Sequence, residues 1–194
     1  ILNENGLPRP DGTDYNGDGL IDNLDIYEDL NGDGLINDND LLPGKSALPD
    51  FIFGLTSNFR YQNWDLAATF RAHLGNYVYN NVASGSGYFQ RLTDRVTNNI
   101  HESAFIVNFT NRQLKSDYYI EDASFLRLDN VSLGYNIQAG GPFRSLRLSA
   151  TVQNVFVLTG YSGLDPEIPQ FSGGIDNNTY PVSRRFILGV NANF

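Results

Sequence analysis

From residue 51 onward, apolar and polar side chains alternate along the chain with a period of two. The alternation covers five stretches, at residues 51–61, 64–74, 130–137, 146–158 and 186–194. Successive side chains of a β-strand point to opposite faces of a sheet, so the pattern predicts five strands, each with one apolar and one polar face. Most of these stretches are longer than the roughly 5–6 residues of strands in soluble sheets.

Short and long connections alternate between the predicted strands. Residues 62–63 and 138–145 form short connections, whereas residues 75–123 and 159–183 form long ones. Loops beyond about 12–15 residues are uncommon in compact soluble domains. Long strands with short turns at one rim and long loops at the other are typical of outer-membrane β-barrels. The pattern therefore predicts an all-β fold, namely five strands of a large antiparallel transmembrane β-barrel with long extracellular loops.

Five strands do not close a barrel, because an open sheet leaves two edges unpaired in lipid. Bacterial barrels also have at least about eight strands. We therefore expect that the chain is the C-terminal part of the barrel, that further strands of the same barrel precede it, and that outer-membrane lipid surrounds it. In this topology Phe194 lies on the periplasmic side, and residues 1–50, 75–123 and 159–183 are extracellular.

The polar face of the predicted strands carries charged and amide side chains that suit a water-filled lumen. The residues expected to face the lumen are Arg60, Asp65, Arg71, His73, Arg147 and Gln153. Neither of the two histidines, His73 and His101, has the spacing of a metal site or a catalytic triad, and the chain has no cysteine. Asp165 and Glu167 are expected to brace a loop. The sequence therefore predicts no enzyme.

Negative charge is concentrated near the start of the chain. Between residues 11 and 50 there are ten Asp and one Glu against a single Lys, whereas the whole chain carries a net charge of −9. The remainder is close to neutral and has no basic stripe, so we expect no nucleic-acid partner.

Two copies of one pattern lie within this acidic segment, at residues 14–25 and 29–40. Each places oxygen-bearing side chains at loop positions 1, 3, 5, 9 and 12 and glycine at position 6, which is the spacing of a twelve-residue calcium loop. The carbonyl at position 7 supplies a further ligand. The predicted calcium ligands are Asp14, Asn16, Asp18, Leu20, Asp22, Asp25, Asp29, Asn31, Asp33, Leu35, Asn37 and Asp40.

Two features separate these loops from a switching helix–loop–helix pair. Position 12 is Asp rather than Glu, and the second loop begins four residues after the first ends. We expect tandem loops that hold one or two structural calcium ions, with dissociation constants of about 10⁻⁴ to 10⁻³ M or somewhat tighter. The alternative is a solvated turn region, because Asp, Asn and Gly are common in turns.

Several segments together resemble a known family. They are DLNGDG at 29–34, PDFIFGL at 49–55, YIEDASFLRLDNVSLGY at 119–135, QNVF at 153–156, YSGLDPE at 161–167 and YPVSRRF at 180–186. In order and spacing they resemble the late barrel of SusC/RagA-type TonB-dependent transporters, over nearly the whole chain from about residue 14.

The resemblance implies a barrel of about 22 strands with an N-terminal plug and a segment that contacts TonB. It also implies a SusD-like lipoprotein that forms a lid over the barrel, and import of an oligosaccharide or a peptide. The last strand resembles a barrel-insertion signal with Phe186, Leu188, Val190 and Phe194. The alternative that the residues leave open is a secreted, calcium-stabilised β-sandwich for adhesion or carbohydrate binding.

Overall fold

The computed structural model describes residues 14, 19–20, 26–35, 37–93, 99–113, 115–138 and 144–193. Its strands are β1 (Phe51–Tyr61), β2 (Trp64–Leu74), β3 (Tyr77–Asn80), β4 (Ile120–Asp122), β5 (Phe125–Ile137), β6 (Ser145–Thr159), β7 (Ile175–Asp176) and β8 (Arg185–Asn193). Its helices are α1 (Asn81–Ser86) and α2 (Ser103–Val107), with short 3₁₀ helices at Asp38–Asp40, Phe89–Thr93, Asp117–Tyr119 and Gln170–Ser172. No helix among these residues is long and apolar enough to cross a membrane.

The chain divides into two compact units. The sheet unit comprises Ala47–Tyr77, Asp122–Glu167 and Thr179–Phe194. The loop unit comprises Ile1–Ser46, Val78–Glu121 and Ile168–Asn178. The predicted division at residue 50, into an extracellular calcium loop and a barrel segment, concerns the two sides of a membrane and stays a prediction.

The sheet unit is built on five long antiparallel strands in the order β1-β2-β5-β6-β8. They coincide with the five stretches of alternation, although β5 begins earlier, at Phe125. The structure therefore confirms the all-β prediction of long antiparallel strands. The register pairs Phe51 with Leu74 and Phe125 with Thr159, so these four strand ends lie at the same end of the sheet. Both long links leave and re-enter the sheet at this end.

A β-bulge interrupts the alternation in the middle of the sheet. The register between β2 and β5 shifts after Thr69, which leaves Asp129 without a directly opposite partner. On β6 the bulge falls at Asn154, whose φ of 53° lies in the left-handed region. The Asn154 side chain donates a hydrogen bond to the carbonyl of Ser183 at 2.9 Å. The bulge keeps the apolar residues on both sides of it on one face.

One face of the sheet is apolar and exposed. It carries Phe53, Leu66, Leu133 and Leu188, and Leu188 keeps 85% of its surface accessible. A soluble sandwich buries this face against a second sheet, because exposed apolar patches of this extent are rare on soluble monomers. An apolar face that stays largely exposed in this way suits lipid-facing strands.

The loop unit has a small sheet and a core of its own, which the sequence did not predict. Its three-stranded sheet has the order β4-β3-β7, with Tyr79 of β3 opposite Ile175 of the parallel strand β7. Ile26, Val107 and Phe109 form a buried cluster, and three tyrosines pack against it, namely Tyr27, Tyr88 and Tyr118. The segments before β1 and between β2 and β5 thus share one core.

Candidate functional site

The second predicted calcium loop is organised around the carboxylate of Asp29. This carboxylate accepts hydrogen bonds from the backbone amides of Gly32 and Gly34, both at 2.7 Å. Asp33 in turn accepts from the amide of Leu35 at 2.8 Å. Gly34 has a φ of 78°, a conformation that glycine adopts without the steric cost of a Cβ. The chain therefore curls around the position-1 carboxylate, as a cation-binding loop does.

Asp40, at position 12, closes this loop. Its carboxylate accepts from the amide of Leu30 at 3.0 Å and from the amide of Asn37 at 2.8 Å. The hydrogen bond from Asn37 is the main cause that lowers the pKa of the Asp40 carboxyl below its usual value. The ionised carboxylate of the last position thus lies beside the first positions of the loop.

The first loop repeats the relation between positions 1 and 6. Asp14 accepts a hydrogen bond from the amide of Gly19 at 2.8 Å, and Gly19 has a φ of 84°. Leu20 is also described. The remaining predicted ligands of this loop lie outside the described residues: Asn16, Asp18, Asp22 and Asp25.

The donor set of the second loop suits a hard cation. It consists of the side-chain oxygens of Asp29, Asn31, Asp33, Asn37 and Asp40 and the carbonyl of Leu35, and oxygen ligands are what calcium takes. Within the part of the chain that the structure describes, no group of three or more His, Cys, Asp or Glu side chains is assembled as a metal site. Calcium binding therefore stays a prediction.

Two side-chain contacts tie the acidic segment to the rest of the loop unit. Lys115 donates to Asp38 at 2.6 Å, and the Tyr27 hydroxyl donates to Gln113 at 3.2 Å. Burial raises the pKa of the Tyr27 hydroxyl to about 12, because the phenolate would lose its hydration. The loop that carries Asp29 thus continues from a segment that is packed in the core through Ile26.

The six residues predicted to face a lumen share one face of the sheet. The register pairs Arg60 with Asp65 and places Arg71 and His73 on the same side of β2. Arg147 and Gln153 reach that side through their partners Asn136 and Asn130. Arg147 and Asn136 also bind Asp65 directly, across Gly134. That this face lines a lumen stays a prediction.

A second charge cluster on this face was not predicted in full. Arg71 forms ion pairs with Asp129 and Glu167, and Arg127 forms a buried ion pair with Asp165 at 2.5 Å. Asp165 and Glu167 thus have the bracing contacts expected of them. The sequence analysis missed Arg127 and Asp129. The bulge at Asp129 has no clear signature in the alternation, and Arg127 lies before the part of β5 where the alternation is regular.

The predicted insertion signal falls on β8, which is an edge strand of the sheet. Phe186, Leu188 and Val190 lie on its apolar face, in register with Val152, Ala150 and Leu148 of β6. Phe194 lies outside the described residues. Recognition of this strand by an insertion machinery is not tested by these contacts and stays a prediction.

Comparisons with known proteins identify one class of relatives. The chain is 35% identical to "TonB-dependent receptor SusC" of Bacteroides thetaiotaomicron over 212 aligned residues, which cover 100% of this chain and 18% of that protein. It is 29% identical to "TonB-dependent receptor P3" of Formosa agariphila, over 75% of this chain and 16% of that protein. No family model matches the chain. The chain thus spans less than a fifth of the length of these relatives.

The fold has solved neighbours of the same kind. A structure described as that of the RagAB peptide transporter matches 83% of this chain and 19% of its own, with a TM-score of 0.63 and 20% identity. At that identity the match concerns the fold. These relatives are receptors and a transporter, which confirms the expectation that the chain is not an enzyme.

Proposed function

Since this chain is a segment of a SusC/RagA-type TonB-dependent receptor, we propose that it serves in the import of a nutrient across the outer membrane. The observation that carries the proposal is the 35% identity to a SusC receptor along the entire chain. The two-faced sheet supports it, because its exposed apolar face suits lipid and its charged face suits a hydrated path. The imported molecule is an oligosaccharide or a peptide.

This segment and the rest of the receptor have different roles in the proposed transport mechanism. The polar face of the sheet contributes to the wall that the nutrient passes. Opening of the path is driven through TonB, which contacts a part of the receptor that this segment does not include. The long links of the sheet are assigned to the extracellular side, since both leave and re-enter the sheet at the same end of the strands and the short turns lie at the other end.

A SusD-like surface lipoprotein is the proposed partner, and it forms a lid over the barrel. The loop unit is a suitable docking surface, because it has its own core and is fixed by contacts such as Lys115–Asp38. Calcium bound by Asp29, Asn31, Asp33, Leu35, Asn37 and Asp40 would stiffen this surface by neutralising the crowded carboxylates. In the first loop, Asp14 and Leu20 hold the corresponding places, together with Asn16, Asp18, Asp22 and Asp25.

Growth experiments test the import function. The gene for the intact receptor is deleted, and the strain is grown on single oligosaccharides and on peptide mixtures as the sole nutrient. The proposal expects loss of growth on one of these nutrients, restored by the intact gene and not by a gene that lacks residues 51–74. Unchanged growth on every nutrient whose uptake requires TonB would contradict it.

Co-purification tests the lid. The intact receptor is isolated from outer membranes with calcium and, in parallel, with a chelator. We expect a lipoprotein at equal stoichiometry with calcium, and less of it after Asp29→Ala with Asp33→Ala. Equal recovery of the lipoprotein from the unsubstituted receptor and from this double variant, in both buffers, would contradict a role of the calcium loop in lid binding.

A further inference from the structure

A short strap, defined here as residues 160–167, lies at the start of the β6–β8 link. Tyr161, Asp165 and Pro166 are buried, whereas Leu164 between them keeps 64% of its surface exposed. Gly163 packs so closely on the Tyr161 ring that a Cβ at this position would collide with it. The strap is therefore a tightly folded turn that buries its two ends and displays its tip.

The strap binds two neighbouring strands of the sheet through three ion pairs, namely Arg71–Glu167, Arg127–Asp165 and Arg127–Glu167, the last at 3.7 Å. Arg127 of β5 donates to Asp165 at 2.5 Å, and both side chains are less than a tenth exposed. Arg71 of β2 binds Glu167, and it also binds Asp129 from the bulge. The Asp165 oxygen that Arg127 binds also accepts the backbone amide of Glu167 at 3.0 Å. One carboxylate oxygen thus both shapes the turn and fastens it.

The register explains why the sheet needs these carboxylates. Arg71 and Arg127 are directly opposite each other on adjacent strands, and like charges in that position repel. Both guanidinium groups also lie near the ring of Phe125, at 5.9 Å and 5.4 Å from its centroid. Removing the strap would leave Arg71 and Arg127 opposite each other. Among the ion pairs of the described residues, the one carboxylate that would then remain paired with them is Asp129, which binds Arg71.

We propose that the strap is a permanently docked part of the polar face, held by Arg71 and Arg127 as positioning residues, and that it is not a moving gate. The transport path then opens elsewhere, and Leu164 is a fixed apolar contact on an otherwise polar wall. The statement that this wall lines a transport path rests on the proposed function. The docking itself does not, and the experiment below measures docking alone.

Spin labelling in the intact receptor tests the docking. This chain has no cysteine, so Leu164→Cys is a unique label site within it once cysteines elsewhere in the receptor are replaced. We expect a single slow-motion spectrum in membranes. Glu167→Gln, at a half-exposed position, should raise the fast-motion fraction several-fold, whereas Asp65→Asn, which removes a negative charge from another ion pair on the same face, should not. A label at Leu188→Cys reports that the barrel is intact and should not change.

A charge swap gives the sharper test. Asp165→Arg alone places three cations together, and Arg127→Asp alone places a third carboxylate beside Asp165 and Glu167, so each should mobilise the label. The double variant places Asp opposite Arg71 and should return the label to slow motion. Two results would overturn the proposal. One is a fast-motion fraction in the unsubstituted receptor, and the other is a spectrum that Glu167→Gln and the swap leave unchanged.

Discussion

The carboxylate of Asp29 accepts a hydrogen bond from the backbone amide of Gly34 at 2.7 Å, five residues later in the chain. The same relation joins Asp14 to Gly19 in the preceding loop. The two loops thus share the hydrogen bond between the position-1 carboxylate and the position-6 amide. This recurrence is the structural basis of the first prediction.

Asp29→Asn should weaken calcium binding by the intact receptor at least tenfold, because a position-1 carboxylate carries charge that the amide lacks. Glu28→Gln is the matched control, since it removes the same charge from the adjacent, exposed residue. Calorimetric titration with calcium measures both. Equal weakening by the two variants would show that overall negative charge, rather than the loop, attracts the ion.

Tyr27 should be among the last tyrosines of the loop unit to ionise. Its pKa is raised to about 12, chiefly by burial, above the ordinary value near 10. The stability that the buried neutral phenol contributes is complete below pH 10 and is lost as the pH rises through about 12. The difference in tyrosinate absorbance between the receptor and Tyr27→Phe measures this titration. A midpoint near 10 in that difference would refute the buried environment.

The core of the loop unit should depend on Phe109. This side chain is 2% exposed and packs with Val107 and Ile26, so Phe109→Ala should destabilise the unit by about 3–5 kcal/mol. Phe171→Ala removes the same ring from a position that is 91% exposed and should change stability by less than about 0.5 kcal/mol. Hydrogen exchange resolved along the chain measures both, and equal effects would contradict the assigned core.

A side chain at Gly134 should displace the ion pair that lies over it. A Cβ at this position would meet the carboxylate of Asp65 and the guanidinium of Arg147, which bind each other across it. Because these are the ends of flexible side chains that can move aside, Gly134→Ala should lower the stability of the barrel by less than about 1 kcal/mol, the value of a partly exposed ion pair. Gly54→Ala is the control, because it lies on the same face of β1 in open space. The temperature at which the barrel loses its compact electrophoretic mobility measures the difference. An equal shift for both variants would contradict this packing.

The strands could be predicted from sequence because a sheet with one apolar and one polar face requires side chains that alternate along each strand. In β2, the alternation of Leu66 with Ala67 and of Phe70 with Arg71 determines both the strand and its faces. The bulge at Asn154 was not predicted in this way, because one polar residue between Val152 and Phe156 interrupts the apolar positions without indicating the left-handed backbone that it adopts.

The loop unit and the strap were not predicted because they depend on contacts between distant segments. Ile26 and Phe109 meet in one core although more than eighty residues separate them. Arg127 and Asp165 are 38 residues apart and meet through the register of β5 and β6. The position of the second predicted calcium loop, by contrast, follows from a local sequence pattern, with which the contacts of Asp29, Gly34 and Asp40 agree.

The most direct test of the central claim, that this sheet separates lipid from a hydrated path, is a cysteine scan along β2 of the intact receptor in membranes. Leu66→Cys and Ala68→Cys lie on the apolar face, and Ala67→Cys and Thr69→Cys on the polar face. The account predicts that a charged thiol reagent modifies positions 67 and 69 and that a lipid-soluble quencher reaches labels at 66 and 68. Equal accessibility of all four positions to the charged reagent would contradict it.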